Sequence, residues 1–249
     1  MPRYMLSDEL WSKQKNIMLQ FNIYDKPSLR MMVEGMLYRM RVGCPWRDLP
    51  EEFGKWNSVY KKFNVWSKKG YWMRLFNELT IDSDLEWVFI DGSYIKAHQH
   101  SAGAVGGLPQ LIGKSRAGNT SKIHLAVDAY GLPIVFHITG GEIHDCTAAP
   151  ALIEELLAAD TIIADKGYDS ERIREQIKEH KIESVIPRKR NSKIGNDGLD
   201  WQLYKYRHLV ENAFARLKQF RGVATRYDKL GRNYESVVAM ACAFLWLPM

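Results

Sequence analysis

The chain has 249 residues, 46% hydrophobic, 12% aromatic and 26% charged, a composition that excludes intrinsic disorder, a collagen-like repeat and a disulfide-built miniprotein. Cys44, Cys146 and Cys242 are odd in number and far apart, so neither a disulfide framework nor a structural zinc site is indicated, and a reducing cytoplasm is expected. The amino terminus has no apolar run of signal-peptide length, and the longest apolar stretch, Val237 to Leu247, falls short of the ~20 residues that a membrane helix needs.

The formal net charge of +6 is unevenly spread. Residues 1–80 carry 14 basic and 8 acidic side chains, residues 81–180 carry 8 and 15, and residues 181–232 carry 13 and 5. An acidic middle bracketed by basic arms suits a polyanion held over a carboxylate-rich centre, with divalent cations relieving the repulsion between carboxylate and phosphate.

From Ser7 to about Leu79 the pattern is helical. Ser7, followed by Asp8 and Glu9, is an N-cap signal, and Leu10, Trp11, Ile17 and Met18 mark an apolar stripe. A second helix is predicted from near Pro27 to Gly43, the prolines of CPWRDLP interrupt, and a third helix runs from about Lys55 to Lys68. In the third, Trp56, Val59, Tyr60, Phe63 and Trp66 form an aromatic face read as core. A fourth turns Trp72, Leu75 and Phe76 inward. Short helices with basic exposed positions suit a helix-turn-helix-like DNA-binding region over residues 1–82, with a second domain over 83–249.

Beyond residue 82 the period changes. Trp87 to Ile90 reads as a short apolar strand ending at Asp91-Gly92, and Ser101 to Thr120, with glycines at 103, 106, 107, 113 and 118, reads as a flexible loop. Ile123–Val127 and Ile134–Ile138 form a hairpin, and a helix follows over about Cys146 to Ala158. The strand Thr161–Ala164 ends in Asp165, a helix covers Glu171 to Glu179, and Ser184–Ile186 is a further strand. A basic loop then leads to a long helix, Trp201 to Lys218, and an apolar helix from about Tyr234 to Leu247. The order β-β-β-α-β-α-β-α is the α/β ribonuclease H-like arrangement, a mixed sheet with flanking helices. In that topology the first and fourth strands are neighbours, so Asp91 and Asp165 should meet.

Phosphodiester chemistry needs an activated oxygen nucleophile and a stabilised leaving oxygen, which two divalent ions held by carboxylates supply. Asp91 and Asp165 with Glu211 from the 201–218 helix make a sufficient set of hard ligands for Mg2+ or Mn2+, with two ions expected. Tyr204, Arg207, Glu211 and Lys218 stand at offsets of three, four and seven, one side of a 3.6-residue helix. Arg188, Lys189 and Arg190 precede that helix and add cations able to track a phosphate backbone. Competing sites are weaker. His98, His100 and His144 are too dispersed for zinc, and the glycines at 103, 106 and 107 form no dinucleotide fingerprint. Asp128 and Asp169 fit local turn and cap roles, and Asp145 is a further acid near the centre.

The residues FIDGSYIKAH around Asp91, IIADKGYDSERIRE around Asp165, and the spacing Tyr204-x2-Arg207-x3-Glu211-x6-Lys218 resemble the bacterial insertion-sequence transposases of family five, in the acidic-triad (DDE) group. The stretch MLYRMRVGCPWRDLPEEFGKWNSVYKKF is similar to their helical DNA-binding region. The resemblance implies that Asp91, Asp165 and Glu211 are catalytic metal ligands, and that Tyr204, Arg207 and Lys218 position transposon-end DNA. It also implies metal-dependent cleavage at the element's inverted-repeat ends, followed by transfer of the freed 3′-hydroxyl into target DNA. The resemblance further implies double-stranded DNA as the partner and a homodimer at synapsis, with a cytoplasmic, nucleoid-associated location expected. A non-catalytic DNA-binding regulator and a structure-specific nuclease on the same fold are the alternatives.

Overall fold

The computed structural model describes residues 4–101 and 110–249. In chain order its elements are α1 (Asp8–Gln20), α2 (Leu29–Val42), α3 (Trp56–Lys68), α4 (Tyr71–Leu79), β1 (Trp87–Ala97), β2 (Gly113–Ser115), β3 (Gly118–Val127) and β4 (Pro133–Gly140). There follow α5 (Asp145–Ile153), β5 (Thr161–Ala164), α6 (Glu171–Glu179), β6 (Glu183–Val185), α7 (Trp201–Tyr204), α8 (His208–Lys218), α9 (Arg221–Ala224) and α10 (Gly231–Trp246). Contacts divide the chain into two compact units, one of residues 1–81, 97–110 and 217–249, the other of residues 82–96 and 111–216.

In the first unit Ser7 caps α1, its side chain accepting from Leu10 N, and α2 stops at Gly43, whose φ of 69° lies in the left-handed region. CPWRDLP folds as a 3-10 turn, Trp46–Asp48, between its prolines. The apolar faces of α3 and α4 pack on α10, and α2 packs on α9 closely enough that a Cβ on Gly222 would stand 2.9 Å from Met40 O. The placement of α10 follows from its composition. Tyr234, Val237, Val238, Met240 and Cys242 are all buried, so the helix is apolar nearly all round and needs partners on several sides. Chain order alone sets residues 83–249 apart as one piece, whereas contacts group 217–249 with the amino-terminal helices.

Glu34 of α2 is buried and accepts hydrogen bonds from Met5 N at 2.8 Å and Leu6 N at 3.0 Å, tying down the segment before α1. Glu34→Ala strands both amides. It is expected to cost about 1.5–3 kcal/mol, seen as a lower urea midpoint at unchanged m-value, and Glu34→Gln, which keeps an acceptor, should lose less.

The second unit is built on a mixed sheet. β3 pairs antiparallel with β1 on one edge, from Phe89↔Val127 to Lys96↔Thr120, and with β4 on the other. β1 and β5 are parallel, as are β5 and β6. The order β4-β3-β1-β5-β6, with β2 added beside the start of β3, is the ribonuclease H-like arrangement expected from the order of elements. Three local expectations differ. β1 continues through Asp91 to Ala97 rather than ending there, because β3 pairs with it along its whole polar half. Of the glycine-rich loop, Gly103, Gly106 and Gly107 lie outside the described residues, while Gly113 and Gly118 open strands β2 and β3. The helix expected over residues 201–218 is two α-helices joined by a 3-10 turn, Lys205–Arg207. Asp128 acts as the turn residue expected, accepting from Tyr130 N and Leu132 N at 3.0 and 2.8 Å.

Candidate active site

The parallel register Ile90↔Ala164 sets Asp91, one residue further along β1, beside Asp165, which follows the last residue of β5. Asp165 caps the 3-10 turn Lys166–Tyr168, its Oδ1 accepting from Gly167 N at 2.7 Å. Asp91 Oδ1 accepts from Gly92 N at 2.7 Å, and its Oδ2 faces Arg207 Nη1 at 3.2 Å. The other guanidinium nitrogen of Arg207 pairs with Glu211 one helical turn on. Arg207 therefore joins Asp91 to Glu211, and the third acid of the expected set reaches the first through a cation. Burial raises the Asp91 carboxyl above the usual range. The Gly92 amide and Arg207 oppose this, while Asp165 and Asp145 add to it.

Behind Asp91 lies a second polar cluster. Lys122 and His124, two apart on β3, point to the same side and are buried, the lysine only 3% exposed. Lys122 Nζ donates to Asp145 Oδ2 at 2.6 Å and sits 4.6 Å from the Tyr94 ring centroid. His124 Nδ1 stands 3.3 Å from Asp145 Oδ1 without the alignment of a hydrogen bond, and its Nε2 meets Thr139 Oγ1 at 2.9 Å. The Tyr168 hydroxyl donates to Asp145 Oδ1 at 3.5 Å. Burial, then Asp145, Asp91 and Asp165, push the phenol well above its ordinary range, so it remains a neutral donor. Burial would raise Asp145, but His124 and Lys122 outweigh it and hold the carboxyl below the ordinary value. This cluster explains Gly92: a Cβ there would strike the Asp145 carboxylate and come within 2.8 Å of Lys122 Cε.

The cations named from sequence are differently employed. Arg188 Nη1 contacts Glu171 and stands 3.5 Å from Asp169, while Lys189 donates to Asp169 through both its backbone and its ammonium. These two anchor the loop after β6, whereas Arg190 is exposed. Asp169 also receives Arg174, so it serves as a loop anchor while Ser170 takes the cap position of α6. Tyr204, at the end of α7, stands edge-on to Trp201 at 5.6 Å. Lys218, the last residue of α8, is exposed and groups with the helical unit. His98 and His100 pack ring to ring, with centroids 4.9 Å apart, and His144 precedes α5.

Among the described residues no group of three or more His, Cys, Asp or Glu side chains is gathered closely enough to hold a metal ion. The donor chemistry nonetheless fits a hard divalent cation. The candidate donors are all carboxylate oxygens, and the Arg207 guanidinium already lies between Asp91 and Glu211 as a stand-in cation. Sequence reasoning assigns no role to Lys122, His124 or Tyr168. The available signal is a pair of polar residues spaced by two within the run Lys122–Val127, whose other members are apolar.

The family profile described as Transposase DDE domain matches residues 82–246, and that described as Putative transposase of IS4/5 family matches residues 6–76. Over 128 residues the chain is 34% identical to a putative transposase for insertion sequence element IS6501 of Brucella ovis, covering 51% of this chain and 98% of that one. It is 30% identical over 141 residues to a putative transposase for IS402 of Burkholderia cepacia, covering 52% and 64%. It is 37% identical over 111 residues to the transposase for IS1106 of Neisseria meningitidis serogroup B, covering 43% and 38%. The chain thus spans almost all of the first relative and less than two thirds of the other two. A solved Mos1 mariner paired-end complex with Mn aligns over 93% of this chain and 84% of that one, at 11% identity and a TM-score of 0.31.

Proposed function

We propose that this chain, which belongs to the DDE-domain transposases of the IS4/5 type, cleaves phosphodiester bonds at the ends of an insertion element and joins the freed 3′-hydroxyl to target DNA. The observation that carries the reading is the link from Asp91 through Arg207 to Glu211, with Asp165 on the adjoining strand. Asp91, Asp165 and Glu211 would hold Mg2+ or Mn2+ as a pair of ions, in keeping with the number of carboxylates; bound there, the ions supply the activated oxygen and the stabilised leaving group. With the acids holding metal, Arg207 would be free to contact a DNA phosphate, and Tyr204 and Lys218 position the end DNA. Arg190 offers a further phosphate contact beside the loop that Arg188 and Lys189 anchor. The buried Lys122–Asp145 pair and Gly92 hold the Asp91 backbone in place, and the neutral Tyr168 hydroxyl keeps a donor among the acids.

In this reading residues 1–82 recognise the duplex ends, two copies pair at synapsis, and the protein works in the cytoplasm at the nucleoid. Among the described residues no helix is long and apolar enough to cross a membrane. The test is incubation of the full chain with Mn2+ and duplexes carrying the inverted repeats of its own element. The expected products are nicks bearing 3′-hydroxyls and donor strands covalently joined to target. Cutting without joining would make it a nuclease, and end binding without cutting a regulator, and either result overturns the proposal.

A further inference from the structure

The helical unit contains a cleft of about 670 Å³ that no part of the cleavage chemistry uses. Arg39 of α2, Trp46 and Arg47 of the CPWRDLP turn, and Trp56 and Tyr60 of α3 line one part of it; Tyr227, Asp228, Lys229 and Asn233 line the rest. Three kinds of group meet here. Aromatic rings come first: Trp46 is packed among Tyr60, Phe63 and the Arg39 guanidinium, whereas Trp56, with Arg47 5.8 Å from its centroid, and Tyr227, beside His98 at 5.0 Å, are 37% and 40% exposed and present surface to the cleft. The charge is positive. Asp228 is buried against Arg39 at 3.1 Å, and among the described residues neither Arg47 nor Lys229 has a carboxylate partner. The third kind is unsatisfied polarity in the wall: among the described residues Arg39 Nε and Asn233 Oδ1, both shielded from solvent on residues only 6% and 5% exposed, have no hydrogen-bond partner.

A buried donor and a buried acceptor left unpaired cost free energy that a ligand carrying the complementary pair would recover. Flat π-faces, a donor-and-acceptor edge and a cationic rim are what a nucleobase with its phosphate requires. A base inside a duplex cannot use them, because its faces are stacked and its edge is paired. We infer that this cleft accepts an unpaired nucleotide of DNA. The base stacks against the exposed rings of Trp56 and Tyr227, its edge draws on the Asn233 and Arg39 side chains of the cleft wall as they turn toward it, and its phosphate lies against Arg47 or Lys229. The inference rests on the proposed function only in taking DNA as the substrate.

The test uses the full chain in EDTA with two probes, a short single-stranded oligodeoxynucleotide carrying a central 2-aminopurine and the same sequence as a perfect duplex. Stacking in the cleft is expected to quench the 2-aminopurine fluorescence of the single strand. Trp56→Ala and Tyr227→Ala, both at partly exposed positions, should each weaken single-strand binding about 5- to 100-fold while leaving duplex affinity within about twofold. Circular dichroism and Tm of the variants report folding. Unchanged single-strand affinity in folded variants, equal weakening on both probes, or displacement of neither probe alongside saturable binding of a proline-rich peptide would each overturn the inference. The readout needs no metal and no cleavage. Variants that bind normally while wild type cuts element ends would sink the cleft alone, and quenching without any cutting would sink the transposase reading alone.

Discussion

Asp91→Asn, Asp165→Asn and Glu211→Gln are each expected to slow nicking of end-containing DNA by about 10³-fold or more, with duplex affinity nearly unchanged. Metal ions stabilise the charge of the transition state by several kcal/mol, and each 1.36 kcal/mol is tenfold in rate. The amides preserve shape, and the carboxamide oxygen introduced by Asp91→Asn can still accept from the Gly92 amide, so folding is not the route of loss. A second readout separates ligand loss from general damage. Mg2+ or Mn2+ binding only the folded protein should raise the wild-type Tm, by about 2.7 kcal/mol equivalent at a hundred times Kd, and should leave the variants unmoved. Without metal, Asp91→Asn should melt higher than wild type. Burial, reinforced by Asp165 and Asp145, sets the folded pKa of Asp91 above its unfolded value, so stability is lost as pH rises through that folded pKa and ionised Asp91 is a cost at neutral pH that the amide removes. Full cutting by any one of the three variants would remove that residue from the site.

The meeting of Asp91 and Asp165 was legible because strand order alone makes β1 and β5 neighbours, and each acid follows an apolar run that reads as buried strand. That Asp91 lies mid-strand was not legible. DGSYIKA is polar enough to look like a loop, and only pairing with Ser121–Leu125 of β3 holds it extended. Similarly, the i,i+4 spacing announces Arg207 with Glu211, but nothing local announces that Arg207 also reaches Asp91, 116 residues earlier. Periodicity does not separate α from 3-10 turns over three residues, which hid the break at Lys205–Arg207. Nor could it show where α10 goes, since an all-round apolar helix carries no face that names its partner. Lys122 and His124 give no local signal of their role, because buried polar side chains of this kind are rare and the residue that makes them tolerable, Asp145, sits on a different element.

That dependence makes Asp145→Ala the most damaging single change to the fold of the second unit. It would leave the buried Lys122 ammonium without its counter-charge, and since Asp145 is itself 26% exposed the loss lies toward the lower end of the about 3–5 kcal/mol that breaking a buried pair costs. For a chain of this size the loss corresponds to a Tm lower by about 6–20 °C, a large share of the roughly 5–15 kcal/mol that a folded domain commands. His124, 3.3 Å from the same carboxylate, loses that neighbour as well. The sign of the pH dependence follows from the depressed Asp145 pKa: its stabilisation is present above the unfolded value of about 3.9 and is lost as pH falls through the lower folded value. The gap between wild type and variant should therefore be widest at neutral pH and narrow in acid. Asp145→Leu combined with Lys122→Met should recover most of the loss, because replacing both charges removes the desolvation penalty along with the attraction, and the double-mutant cycle reports their coupling. A Tm for Asp145→Ala indistinguishable from wild type would mean that Lys122 escapes to water, and that the pair does not hold β3 and α5 together behind Asp91.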